Sequence, residues 1–166
     1  GWDVSSVTSM RSMFNRTSVT DLSPLSSWDV SSVTTMRSMF NRTSVTDLSP
    51  ISGWDVSSVT SMRGMFRGTS VTDLSPISGW DVSSVTSMRN MFNLAPIGDV
   101  PTGEMLAGWI DGSPNTEADL QAGVELGISN ADYSQMDSAG QAAVDALCSD
   151  PPDWQIDVQN APADCS

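Results

Sequence analysis

The stretch Trp2-Asp3-Val4-Ser5-Ser6-Val7-Thr8-Ser9-Met10-Arg11-Ser12-Met13-Phe14 returns almost unchanged from Trp28, from Trp54 and from Trp80, a spacing of 26 residues each time. Residues 2–27 and 28–53 differ only at Ser9/Thr35, Leu25/Ile51 and Ser27/Gly53, and the block from Trp54 differs from its predecessor at four positions. A fixed period of this length marks units that cannot bury an apolar face alone and stack on their neighbours. Ile97, Asp99 and Val100 keep the register of Val19, Asp21 and Leu22, and the register is lost after Pro101. Residues 1–100 are therefore expected to form four 26-residue solenoid repeats, the last incomplete.

Within a unit the apolar positions are Trp2, Val4, Val7, Met10, Met13, Phe14, Val19, Leu22 and Leu25, so long stretches advance in steps of three. That period fits neither an ideal helix nor a simple strand. It suits a chain that coils round a core in short straight pieces, with corners at Ser, Thr, Asn, Gly or Pro. Val19 to Ser23, stopped by Pro24, is the best strand candidate. Met10 to Phe14 reads as a short helical or 3₁₀ turn. The expected class is a β-rich solenoid with parallel strands, in which Trp, Met, Phe and Val become internal ladders.

Trp-Asp-Val-Ser-Ser-Val-Thr-Ser-Met-Arg-Ser-Met-Phe, followed by Ser-Val-Thr-Asp-Leu-Ser, closely resembles the BspA-like leucine-rich-repeat surface proteins, whose units are also catalogued as a domain of unknown function in Mycoplasma lipoproteins. The resemblance covers residues 1 to about 100 and rests on Val-x-x-Met-x-x-Met-Phe, which recurs four times. It implies a leucine-rich-repeat-like solenoid on a secreted or surface protein, used in adhesion or recognition without catalysis. One departure stands out: the internal Cys of many such units is Thr17, Thr43 and Thr69 here, then Ala95.

Charge divides the chain. Its 166 residues carry 20 acidic and 7 basic side chains, every basic one an Arg. Residues 1–100 hold 8 Asp and all 7 Arg, net −1, whereas residues 101–166 hold 9 Asp and 3 Glu with nothing basic, net −12. Nucleic acid is not expected as a partner of such a molecule, because phosphate binding is driven by Lys and Arg releasing counterions. Without His there is no imidazole acid–base chemistry or His metal ligation. No run of 18 apolar residues exists, so no membrane insertion is expected, and Gly1-Trp2-Asp3-Val4 is neither an initiator Met nor a signal peptide, which suggests a processed product or a fragment. Neither an enzyme nor a cofactor is indicated.

Several columns are candidate surfaces. Arg11, Arg37, Arg63 and Arg89 would stack one position past the first Met of each unit. Asp21, Asp47, Asp73 and Asp99 form a second column, Asp3, Asp29, Asp55 and Asp81 a third. Stacked like charges repel, so each column should have a compensating neighbour, the simplest being Asp against Arg. Asp3 with Ser5 or Ser6 would equally suit a local side-chain to backbone turn. Thr20, Thr46 and Thr72 form an outward row, as do Thr8, Thr34, Thr60 and Thr86, which brings an ice-binding solenoid into consideration. Asn15-Arg16-Thr17 and Asn41-Arg42-Thr43 are N-glycosylation sequons. The Met row, Met10 and Met13 with their copies, reads as packing rather than soft-metal ligation.

Residues 101–166 change character and are expected to form an acidic, mainly helical cap over the solenoid end. Thr116-Glu117-Ala118-Asp119-Leu120 looks like an N-capped helix start running towards Gly127, a second helix should span about Ser134 to Cys148, and Asp153 to Val158 suits a short strand. Cys148 and Cys165, an isolated pair without His or CxxC spacing, read as a structural disulfide. Asp111 to Glu117 superficially suggests a Ca²⁺ loop, but it lacks the Gly at the sixth position and the distal Glu.

The functional expectation is an extracellular or cell-surface module for adhesion, recognition or protein–protein interaction, with a protein or glycan ligand. The alternative is a self-assembling structural subunit that stacks head to tail through an uncapped N-terminal rung.

Overall fold

The computed structural model describes residues 2–111, 119–149, 152–162 and 165. Its repeating segment is built on hydrogen bonds between equivalent parts of successive units. Met10, Ser12, Phe14 and Arg16 donate their N–H groups to the carbonyls of Thr35, Arg37, Met39 and Asn41, at 2.8–3.0 Å. Met36, Ser38, Phe40 and Arg42 repeat this towards Ser61, Arg63, Met65 and Arg67, and Met62, Gly64, Phe66 and Gly68 towards Ser87, Arg89, Met91 and Asn93. Parallel bridges join Ser9 to Thr35, Thr35 to Ser61 and Ser61 to Ser87. Within residues 10–16 the direction is fixed, each unit giving these N–H groups to the carbonyls of the next, while the N–H groups of Thr34, Thr60 and Thr86 run the other way, to the carbonyls of Thr8, Thr34 and Thr60.

This ladder lies on residues 9–16 of the unit, where the sequence suggests a turn, and not on Val19 to Ser23. The Val19 segment holds a single inter-unit bond, from Ser44 N–H to the Val19 carbonyl, and then enters a 3₁₀ turn, Ser23–Leu25, repeated as Ser49–Ile51 and Ser75–Ile77. The physical reason is left-handed backbone at two places in every unit. Ser12 and Arg16, Ser38 and Arg42, Gly64 and Gly68, Asn90 and Leu94 all have φ between 56° and 67°. Each left-handed residue reverses the local turn, so residues 10–16 advance with alternate N–H groups aimed at the next unit instead of closing a helix.

The core follows from the same turns. Met36, Met39, Phe40, Val33, Leu48 and Ile51 of the second unit are fully buried, as are their counterparts in the third. Phe14, Phe40, Phe66 and Phe92 stack in line, their ring centroids 5.6–5.7 Å apart. Burial of a side chain of this size contributes roughly 1.5–3 kcal/mol. Thr43 and Thr69 point inward, and their hydroxyls donate to the carbonyls of Phe40 and Phe66 at 2.8 Å. A buried hydroxyl is tolerated there because that bond is made.

The fourth unit departs where the others make their 3₁₀ turn. From Asp99 the chain enters helix α1, Asp99–Asp111, with Pro101 in the first turn, where a missing N–H leaves no helical bond unmade. Strand β1, Glu125–Asp132, then resumes the ladder: Met88 and Phe92 donate to the carbonyls of Glu125 and Gly127, in the pattern Met62 and Phe66 use one unit earlier. Helix α2, Ser138–Cys148, capped by Asp137 on Gly140 N–H, leads to strand β2, Gln155–Gln159, which pairs in parallel with β1. The Cys148–Cys165 disulfide ties the chain beyond β2 to the end of α2.

The C-terminal expectations are corrected in two places. The helix expected from Thr116 begins outside the described residues, and its described remainder turns at Ala122–Gly123 and becomes β1. Leu126 and Ile128 are buried in extended backbone because the free N–H groups of the fourth unit recruit them, and tertiary pairing overrides local helix preference. The helix lies instead at Asp99–Asp111, whose first two residues were expected in the register of the fourth repeat and whose remainder had no expected element. The expected second helix and final strand are present as α2 and β2, each shifted by a few residues.

Candidate functional site

Side chains in residues 10–16 sort by direction. Met10, Met13 and Phe14 and their copies face the core, while positions 11, 12, 15 and 16 face outward. The outward positions hold Arg11, Arg37, Arg63 and Arg89 in one column, Arg16 and Arg42 in a second, and Arg67 where the first two units place Asn15 and Asn41. All 7 arginines of the chain therefore lie on one segment of the repeat. The sequence reading found the first column and missed Arg16, Arg42 and Arg67. The signal that could have found them is position 68: a Gly replacing Arg42 beside a Gly replacing Ser38 betrays the left-handed pair that defines this segment.

The Asp columns do not offset this charge by contact. Asp3, Asp29, Asp55 and Asp81 each accept from the main-chain N–H and the hydroxyl of the serine two residues on, at 2.6–3.1 Å. Asp21, Asp47 and Asp73 accept the N–H of Ser23, Ser49 and Ser75 in the same way, at 2.8–2.9 Å. The serine hydroxyl first, and its main-chain N–H second, hold the carboxyls of Asp3, Asp21, Asp29 and Asp47 below the usual range. The local turn foreseen for Asp3 is thus what every one of these residues makes. Among the described residues the one ion pair is Arg89 with Glu125 of β1, at 3.6 Å, where the arginine column meets the C-terminal segment.

The remaining candidates take defined places. Thr20, Thr46 and Thr72 are exposed beside the Asp21 column. The hydroxyls of Thr34, Thr60 and Thr86 donate to the carbonyls of Thr8, Thr34 and Thr60 at 3.1 Å, which fixes that row in register. Asn15 and Asn41 are half-buried, and Asn41 Nδ2 donates to Asn15 Oδ1 at 3.0 Å, so the acceptor nitrogen of the second sequon is engaged in the column. Cys148 and Cys165 are buried and bonded. The Ca²⁺-loop residues 112–118 lie outside the described residues. A cleft of about 420 Å³ at the C-terminal end of the arginine segment is lined by Arg89, Asn90, Glu125, Gln155 and Asp157 over a floor that includes Ile156. Among the described residues no group of three or more His, Cys, Asp or Glu gathers as a metal site, and no helix is long and apolar enough to cross a membrane.

A repeat this regular, with its inward Met-Phe pair and outward polar columns, places the chain in a family. It belongs to the one described as Mycoplasma protein of unknown function, DUF285, whose model matches residues 1–97. Comparison with curated proteins and with solved structures finds no match.

Proposed function

We propose that the chain is an extracellular or cell-surface recognition module of the BspA-like type, a leucine-rich-repeat-like solenoid that works by adhesion and not by catalysis. The observation that supports this most is the main-chain ladder from residues 10–16 of each unit to the next. It holds the outward Arg, Asp and Thr positions in register along the array, and a rigid surface with a repeated polar pattern suits a repeated or extended partner. Beads coated with the chain should bind saturably to cell surfaces or to immobilised matrix proteins and glycans, and free chain should compete. Absence of saturable binding across such a panel, or turnover of a substrate by the purified chain, would overturn the reading.

A second reading, a self-assembling structural subunit that stacks head to tail, is supported by the same ladder, because main-chain bonds that join unit to unit within the chain can also join units of two copies. Sedimentation that stays monomeric at high concentration removes this reading.

A further inference from the structure

Six of the seven arginines on the arginine segment of the repeat have no ion-pair partner among the described residues. Seven guanidiniums stand on the outward side of residues 11–16 and their copies, in a chain whose net charge is −13. The repeats' own carboxylates cannot neutralise them by contact, because the described Asp side chains of residues 3–81 are folded back on serines. Among the described residues only Arg89 is ion-paired. Consecutive arginines in a column spring from backbones one inter-unit step apart, about 4.8 Å. Like charges so placed raise each other's electrostatic energy, and an anion lying along the column relieves that. At Gly68 a Cβ would lie 3.5 Å from Arg42 Cγ, so the stem of Arg42 borders the equivalent position of the next unit.

Three features select the partner. The face is linear and follows the stacking direction, so the ligand is a chain and not a compact anion. Its outward side chains are Arg, Ser, Asn and Gly, with a single exposed Leu94 and no aromatic to stack a base, which disfavours single-stranded nucleic acid. The net charge of −13 repels the densest polyanions over the whole molecule, so a polymer with one carboxylate per sugar is favoured over duplex nucleic acid or a heavily sulfated chain, which carry charge more densely. Arginine forks match the two oxygens of a carboxylate. We infer that the face formed by Arg11, Arg16, Arg37, Arg42, Arg63 and Arg67 binds a carboxylated polysaccharide laid along the stacked units. The inference rests on the recognition reading above and gives it a ligand class and a surface.

The test is binding of the whole chain to polygalacturonate at physiological salt, beside fully methyl-esterified polygalacturonate, dextran sulfate and duplex DNA. Polygalacturonate should bind, binding should fall steeply with added salt, and esterification should abolish it. A variant with Arg37, Arg42, Arg63 and Arg67 all changed to Gln, folded by circular dichroism, should bind at least tenfold more weakly. If that variant does not fold, the exposed single changes Arg16→Gln and Arg42→Gln replace it, each expected to weaken binding severalfold. No binding to polygalacturonate, binding that survives esterification or arginine removal, or tighter binding to dextran sulfate or DNA overturns the inference. Bead adhesion to cells is measured in parallel. Adhesion without polygalacturonate binding sinks the ligand and leaves the recognition role standing, and polygalacturonate binding without adhesion does the reverse.

Discussion

The indole N–H of Trp109, in helix α1, donates to the carbonyl of Ile77 at 3.0 Å, repeating the bonds that Trp80 makes to Ile51 and Trp54 to Leu25. A helical residue thus occupies the place of the next tryptophan in the column, although it stands 29 residues after Trp80 and not 26. Trp109 is fully buried, so Trp109→Ala should cost about 3–5 kcal/mol. Trp109→Phe keeps much of the packing and loses one hydrogen bond, while the Ile77 carbonyl still accepts the Trp80 main-chain N–H at 3.2 Å, so the cost should be about 0.5–1.5 kcal/mol. Trp2→Ala, at an exposed position, should change stability by less than about 1 kcal/mol. Urea unfolding of the three variants checks the order.

Gly64 and Gly68 sit at φ +63° and +66°, where the other units place Ser, Arg, Asn or Leu. An added Cβ at either meets nothing closer than 3.5 Å, so the restriction is conformational and not steric crowding. Gly64→Ser and Gly68→Arg should therefore cost no more than about 1 kcal/mol each. Gly64→Val places a β-branched side chain in left-handed backbone and should cost roughly 1–3 kcal/mol. Equal melting temperatures for Gly64→Ser and Gly64→Val would refute the left-handed assignment.

These positions also explain what could be read in advance. The period, the tryptophan column and the inward Met-Phe pair were legible because each is repeated at a fixed spacing. The ladder was assigned to the wrong segment because Ser12 and Arg16 give no chemical sign of left-handed backbone; only the glycines of the third unit do. Helix α1 was missed because Pro101, Gly103 and Gly108 look like breakers. Gly103 and Gly108 are there for close approach: a Cβ would lie 2.8 Å from Gly140 Cα and 2.6 Å from Ser78, respectively. The Asp columns were legible as columns, but whether a carboxylate turns to an arginine or to its own serine is decided by backbone geometry that composition does not carry.

At Gly127, in β1, a Cβ would lie 2.5 Å from the main-chain nitrogen of Asn90. Gly127→Ala must push β1 off the fourth unit and weaken the bonds from Met88 and Phe92 to Glu125 and Gly127. A loss of roughly 1–3 kcal/mol is expected, as for overpacking in a tight core. Hydrogen exchange should locate it: the Met88 and Phe92 amides lose protection while those of Met36 and Phe40 keep theirs. Uniform loss at all four would mean that β1 and the repeats unfold as one unit.

Acid should act on the repeats through their aspartates. The serine bonds lower the carboxyl pKa of Asp3, Asp21, Asp29 and Asp47 in the folded chain, so the folded state holds the ionised form more strongly than the unfolded state does. Their contribution is complete above the ordinary Asp value near about 3.9 and is lost as pH falls through the lower folded values. Melting temperature should accordingly be flat from neutral pH to about pH 5 and fall below about pH 4. Asn in place of Asp29 and Asp47 keeps an oxygen acceptor for Ser31 and Ser49 N–H without a titrating charge. The double variant should fold and show a shallower acid decline, and an unchanged decline would put the acid sensitivity elsewhere.

The disulfide separates the two parts by redox state. Cys148 and Cys165 are 17 residues apart, and both lie in the C-terminal segment, while the repeats contain no Cys. Opening a loop of this size restores entropy to the unfolded chain worth about 3 kcal/mol in the chain-entropy model. Replacing both cysteines by Ser should lower the stability of α2 and β2 by roughly 2–4 kcal/mol. Because β1 pairs with β2 on one side and with the fourth unit on the other, the loss should spread to β1 and then fade along the array. Exchange rates at Leu126 and Ile156 should rise most, those at Met88 less, and those at Met36 not at all. If Met36 responds as strongly as Ile156, the units are coupled over their whole length, and the array folds as a single cooperative block.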